Sequence, residues 1–120
     1  MRTTSEPRRE ALGLLGLARR AGGVAAGTDA VRQSVRGGRA RLIVTAEDAS
    51  DTQLRKIRST IHDRAIPQVI LGDRATLGAA VGSAPLAAVA VTNGGLAERI
   101  LEAVGRASVP GDTDEAEARQ

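Results

Sequence analysis

Apolar residues recur at helical spacing from Glu6 to Arg20, with Leu12 and Leu15 on one face, and Gly22-Gly23 supplies the glycine signal that ends a helix. A short extended piece, Val24 to Ala26, follows. Gly27-Thr28-Asp29 then opens a second helix. Thr28 is the expected N-cap, because its hydroxyl can accept from a first-turn N–H, and Asp29 stands where the helix dipole favours an anion. This helix reaches about Arg36 before Gly37-Gly38 breaks it. Leu42-Ile43-Val44-Thr45 is a continuous apolar and β-branched run, the pattern of a strand in the middle of a sheet. Beyond Ala46 to Ser50, a third helix carries Leu54, Ile57 and Ile61 on one face and Arg55, Lys56 and Arg58 on the other. After Pro67, Gln68 to Leu71 reads as a strand, Arg74 to Val81 as a short helix ended by Gly82, and Ala87 to Val91 as another buried strand. Asn93-Gly94-Gly95 turns into a last helix bearing Leu96, Ile100, Leu101 and Val104.

Helices alternating with strands that are apolar throughout require cover on both sheet faces. The expected fold is therefore α/β: a three-layer α/β/α sandwich with a central mixed sheet of about four short strands. With 120 residues, 42% of them apolar, residues 1–109 are expected to form one domain. Beyond Pro110 the only apolar residue type is alanine, so residues 110–120 read as a disordered acidic tail. The run LGLLGLA ends at Arg19-Arg20, far short of the ~20 apolar residues that span a bilayer, and no signal-type cleavage site accompanies it. There is no cysteine, which excludes disulfides and thiolate chemistry and fits a reducing compartment. A cytoplasmic protein without a membrane partner is expected.

Charge sharpens this picture. The last eleven residues carry a net −3 against a total of +3, leaving about +6 on the body. Arg19, Arg20, Arg32, Arg36, Arg39 and Arg41 crowd one stretch opposed only by Asp29. Such clustering is the footprint of a polyanion partner. Codon bias accounts for sixteen arginines against the single Lys56, but not for where they fall. Aromatic residues are wholly absent, so modules that stack single-stranded bases on Phe, Tyr or Trp are excluded. An RNA partner would have to be read through shape, backbone and base edges.

Material for catalysis is thin. His62 lies in the third helix beside Asp63 and Arg64, with no nucleophile or metal partner in view, and reads as a solvated helix residue. Glu47-Asp48 stands at the C-terminal end of a strand, where α/β folds keep their sites. Adjacent side chains diverge, however, and no carboxylate motif completes a metal set, so capping or turn roles for Asp48 and Ser50 are favoured. Asn93-Gly94-Gly95 lacks the GxGxxG and P-loop patterns and reads as a plain strand-to-helix turn. No enzyme activity, metal or cofactor is expected.

The segment from Gly27 to Gln33 differs, because it sets polar groups at a helix N-terminus inside the most basic stretch. Glycine permits close approach of a nucleic-acid backbone, and exposed helix N–H groups can meet phosphates. Phosphates would repel Asp29. In contact with RNA it would accept from base donors such as guanine N1 and N2; its alternative role is a first-turn dipole partner.

At this point LGLARRAGGVAAGTDAVRQSVRGGRARLIVTAEDAS, IPQVILGDRATLGAAVG and AAVAVTNGGLAERI, in that order over about residues 10 to 105, resemble the kink-turn-binding ribosomal protein L7Ae family, particularly its small bacterial YlxQ-type members. The resemblance implies the same sandwich and a sharply bent RNA whose tandem G·A pairs are read by the second helix's N-terminus. That site would map to Gly27, Thr28, Asp29, Ala30 and Gln33, with support from Glu47, Asp48 and the loop Gly82 to Leu86. Archaeal and eukaryotic members carry Asn-Glu and, three residues on, Lys, where this sequence has Asp29-Ala30 and Gln33.

The expected function is thus recognition of structured RNA, kink-turn-like, in a translation or ribosome context, by a monomer. Arg19, Arg20, Arg32, Arg36 and Arg39 are candidate phosphate contacts, and Pro85-Leu86 is an apolar loop that could pack on an unstacked base. The alternative is a protein-interaction module in a translation or transcription assembly, using the same surface against an acidic protein.

Overall fold

The computed structural model describes residues 5–117, with side chains described for residues 6–106. The elements run α1 (Ser5–Arg20), β1 (Val24–Ala26), α2 (Thr28–Arg36), β2 (Leu42–Thr45), α3 (Asp51–Ile61), β3 (Gln68–Ile70), α4 (Arg74–Ala80), β4 (Ala88–Val91) and α5 (Gly94–Glu117). The acidic tail expected over residues 110–120 falls on the last turns of α5 and beyond it. Its backbone as far as Glu117 continues α5, while its side chains and residues 118–120 lie outside the described residues.

The sheet is mixed, in the order β1-β4-β2-β3. β2 runs parallel to β3 and antiparallel to β4, which is antiparallel to β1; Ile43 stands opposite Ala90 and Val44 opposite Val89. The two strands with unbroken apolar sequence, β2 and β4, are the inner ones and are buried at every position. Because side chains alternate along a strand, each inner strand feeds two cores. Leu42, Val44, Val89 and Val91 join Leu14, Leu15, Leu77 and Ile100 beneath α1, α4 and α5. Ile43, Ala88 and Ala90 face Val31, Val35 and Ile57 beneath α2 and α3. Full burial of a Leu or Ile contributes roughly 1.5–3 kcal/mol, so the first, larger core supplies most of the apolar stabilisation. The alanines of β4 leave room for α2 to lie close over the sheet.

Local sequence explains where most helices begin. Ser50 and Gln53 form a reciprocal capping box on α3, with Ser50 Oγ accepting from Gln53 N at 3.1 Å. Asp73 caps α4 by accepting from Thr76 N at 2.8 Å, and Asn93 Oδ1 accepts from Leu96 N at 2.9 Å at the start of α5. The exception is α2. Its N-cap is Gly27, not Thr28 as expected, and no side chain caps it. The chain leaves β1 through φ 99° and ψ 156° at Gly27, a region open essentially only to glycine, so Thr28 is already helical. The Thr28 hydroxyl is shielded from solvent and has no hydrogen-bond partner. Four boundaries also shift by one residue: α1 starts at Ser5, β4 starts at Ala88, β3 ends at Ile70, although Leu71 N still donates to Thr45 O at 3.0 Å, and α4 ends at Ala80 with Val81 as C-cap.

Candidate functional site

The topology gathers the C-terminal ends of β1, β2 and β3, and hence the N-termini of α2, α3 and α4, at one rim of the sheet. This is the end at which open α/β sheets carry their ligands. Two of these N-termini are closed by their own caps. Only α2 keeps its first-turn N–H groups uncapped by a side chain, at Thr28, Asp29 and Ala30.

These residues line a cleft of about 520 Å³ with Ala26, Gly27, Gln53 and Lys56. Asp29 is exposed and, among the described residues, neither donates nor accepts a hydrogen bond through its side chain. Gln33 is exposed one turn further along α2. Gln53 and Lys56 are not among the sequence-based candidates: Lys56 reads only as part of the helix face opposite Leu54, Ile57 and Ile61, and the structure leaves it exposed while α3 sets it in the lining of this cleft. The signal was a polar stripe, Gln53, Lys56 and Thr60, running beside the apolar Leu54, Ile57 and Ile61. Arg32 Nε donates to Thr60 Oγ1 at 2.9 Å, tying α2 to α3 behind the cleft and leaving its Nη groups available.

The α4–β4 loop closes the other side. Gly27 N donates to Ala88 O at 2.9 Å, and a Cβ on Gly27 would lie 3.9 Å from Leu86 Cδ2. Leu86 is half-buried against the larger core, whereas Pro85 is exposed. Glu47 and Asp48 diverge, as expected of neighbours: Glu47 pairs with Arg8 at 3.1 Å, and Asp48 accepts from Arg74 N at 2.8 Å. Leu86 N donates to Arg74 O at 3.1 Å, so Arg74 joins the Asp48 turn to the loop. Arg8 and Arg74 are thus rim residues missed in the sequence. Asp73, beside Arg74, is held below the ordinary carboxylate range, chiefly by the backbone N–H of Thr76 and also by that residue's side chain.

The arginines divide. Arg32 lies near the rim, but Arg36 closes α2 about 12 Å along the helix axis from Thr28, and Arg39 follows the turn beyond. Arg20 ends α1 beside Gly23, whose neighbour across the fold is Asn93, at the end of the sheet opposite the rim. The Arg19 guanidinium lies over Gly82, at the far end of the loop from Leu86. The structure therefore brings together Gly27, Thr28, Asp29, Leu86 and, across the cleft, Lys56. It does not bring Arg19, Arg20, Arg36 and Arg39 to them.

His62 is exposed and faces Asp63 at 3.3 Å. Among the described residues no group of three or more His, Asp or Glu side chains is placed to hold a metal ion, and no helix is long and apolar enough to cross a membrane.

Comparison with known proteins bears on the family and the fold. RNA-binding protein YlxQ of Bacillus subtilis (strain 168) is 36% identical over 88 residues, covering 73% of this chain and 88% of that protein. Large ribosomal subunit protein eL8 of Thermoplasma volcanium is 30% identical over 103 residues, 85% of each chain. A Bacillus halodurans C protein of unknown function superposes with a TM-score of 0.74 at 27% identity, covering 79% of this chain and 96% of that one. The Giardia lamblia 15.5kD RNA binding protein shares the fold, with a TM-score of 0.68 at 22% identity over 86% of this chain and 88% of its own. The profile of the ribosomal protein L7Ae/L30e/S12e/Gadd45 family matches residues 9–101, the stretch that builds the sheet, its covering helices and the α2 rim. On that match and those relatives, the chain belongs to the L7Ae/L30e/S12e/Gadd45 family.

Proposed function

We propose that this protein binds structured RNA in a ribosomal context, as a monomer, and that its ligand is a kink-turn-like bend read by the N-terminus of α2. It is a binding protein and not an enzyme, in keeping with relatives named as RNA-binding and ribosomal proteins. The observation that carries the reading is the uncapped N-terminus of α2, facing a cleft at a rim where the neighbouring helix starts are sealed. Helix N–H groups without partners favour anionic or carbonyl acceptors. Asp29, exposed beside them, accepts from the N1 and N2 donors of guanine, a base contact that confers specificity. Lys56 supplies a positive charge across the cleft, where Gln33 on α2 offers only a neutral amide. Pro85, exposed on the adjoining loop, gives an apolar surface for an unstacked base.

The test is binding, at two salt concentrations, to a kink-turn RNA and to the same RNA with its G·A pairs replaced by Watson–Crick pairs. Preference for the kink, lost in Asp29→Ala by roughly ten- to a hundredfold, is expected, because a hydrogen bond to a charged group contributes ~1.5–3 kcal/mol. Equal losses on both RNAs would remove Asp29 from base recognition. Failure to bind any structured RNA at low salt would turn the reading toward an acidic protein partner.

A further inference from the structure

The arginines that crowd the sequence do not surround the cleft, and where they gather calls for a second function. Between Asp29 and Glu47 the chain contains no acidic residue. Arg36, Arg39 and Arg41 from this stretch emerge within one tight turn that joins the C-terminus of α2 to the start of β2. Arg39 N donates to Ser34 O at 3.0 Å and Arg41 N to Val91 O at 2.8 Å, which fixes the turn against the end of the sheet opposite the rim. Arg64 joins them by donating to Val35 O at the end of α2. All four arginines are exposed and none forms an ion pair among the described residues. The acidic groups nearby are few: Asp63, which faces His62, and Glu98, on α5 across the sheet.

A favourable interaction with the α2 dipole accounts for Arg36, and the bond to Val35 O accounts for Arg64. Neither accounts for Arg39 or Arg41. The rim, by contrast, holds Arg8 and Arg74 in pairs with carboxylates, Glu47 and Asp48, and Arg32 against the Thr60 hydroxyl. Charge along the sheet axis is therefore polarised, with mixed signs at the cleft and a nearly pure positive surface at the other end.

We propose that this basic end is a second RNA surface, one that holds the phosphate backbone of a separate duplex segment without reading its sequence, while the rim reads the kink. The inference rests on the RNA-binding reading above and adds a bridging role to it: one molecule fastens two RNA segments at opposite ends of its sheet. RNA is favoured over an acidic protein because the four guanidinium groups stand exposed together and pairing with backbone phosphates needs only charge and donors.

The experiment compares the full-length wild type with the triple variant Arg36→Gln, Arg39→Gln, Arg41→Gln, and with the corresponding Arg→Lys triple. Each is titrated with a plain RNA duplex and with a kink-turn RNA whose arms are trimmed short. Each neutralised phosphate adds about 0.9 to the salt slope on duplex DNA, so loss of three contacts should flatten the slope on plain duplex by about 2 to 3 and weaken duplex binding at least tenfold at ~0.1 M salt. Trimmed kink-turn binding should stay within about threefold of wild type, and the Arg→Lys triple should recover most of the duplex binding. Native mass spectrometry of the wild type with both RNAs should show one protein holding both. An unchanged duplex affinity and slope in the glutamine triple would overturn the proposal and leave an acidic protein as the partner of this end. Displacement of duplex by trimmed kink, one for one, would also overturn it by showing a single shared surface. A wild type that binds duplex through these arginines yet shows no kink preference would refute the rim reading alone.

Discussion

Gly27 offers the sharpest check of the geometry that opens α2. Its φ of 99° and ψ of 156° lie in a region that costs a residue with a Cβ about 1–3 kcal/mol. Space is not the difficulty, since the nearest heavy atom to a Cβ there is Leu86 Cδ2 at 3.9 Å. Replacing glycine by alanine also removes unfolded-state freedom, which returns ~0.4–1 kcal/mol. The net expectation for Gly27→Ala is a loss of about 1–2 kcal/mol, a fall in Tm of roughly 4–8 °C for a domain of this size. Gly13 supplies the control. It sits in α1, exposed, with nothing within 4 Å of its would-be Cβ, so Gly13→Ala should gain about 0.5–1 kcal/mol from helix propensity. The same chemical change should thus move thermal and urea midpoints in opposite directions at the two sites. RNA affinity should fall further in Gly27→Ala than its stability loss requires, because relaxing φ disturbs the bond from Gly27 N to Ala88 O and re-aims the first turn of α2. If Gly27→Ala melts at or above the wild-type temperature, the strained cap does not exist as described.

Ser34 is 1% exposed on the sheet side of α2 and its hydroxyl has no hydrogen-bond partner, so Ser34→Ala should raise stability by about 1 kcal/mol, read as a Tm several degrees higher; a lower Tm would mean the hydroxyl is paired. Asp73, with its folded pKa depressed by the Thr76 N–H, stabilises the fold fully above the ordinary carboxylate pKa of about 4, and that contribution fades as pH falls through the lowered value. Asp73→Asn should therefore flatten part of the acid limb of a stability–pH profile while changing RNA binding little; an identical acid limb would show that the cap contributes nothing. Deleting residues 110–120 should raise non-specific RNA affinity, because it removes a net charge of −3 and leaves about +6 on the body. Unchanged affinity would make the segment irrelevant to binding.

The fold was largely legible because its elements announce themselves by period. Leu42 to Thr45 reads as a central strand and Ala87 to Val91 as another buried one, both inner in the observed sheet, and the glycines at 22, 27, 37 and 82 mark real breaks. The Ser50–Gln53 capping box was only half seen, as a capping role for Ser50. Thr28 misled, since a threonine before a helix suggests a cap unless the preceding glycine takes a conformation no other residue can. The α2 start was legible from Gly27 and Asp29 together. Lys56 was not, because its approach to Asp29 depends on how α3 packs beside α2, and helical spacing alone gives faces without saying what they face. The arginines misled for the opposite reason. Adjacency in sequence implied one patch, but a nine-residue helix carried half of them to the far end of the molecule.

The unequal size of the two cores has a bearing on motion. Among the described residues, fifteen are buried beneath α1, α4 and α5, including Leu15, Leu42, Leu77 and Ile100, and seven beneath α2 and α3, three of them alanine. Segments with fewer buried apolar contacts open at lower free energy than the whole molecule. The α2–α3 layer should therefore exchange its amide hydrogens for deuterium before α1 and the inner strands do. The layer proposed here to meet RNA should thus be the loosest part of the fold, and a ligand that braces it would slow its exchange while leaving the rest of the protein unchanged.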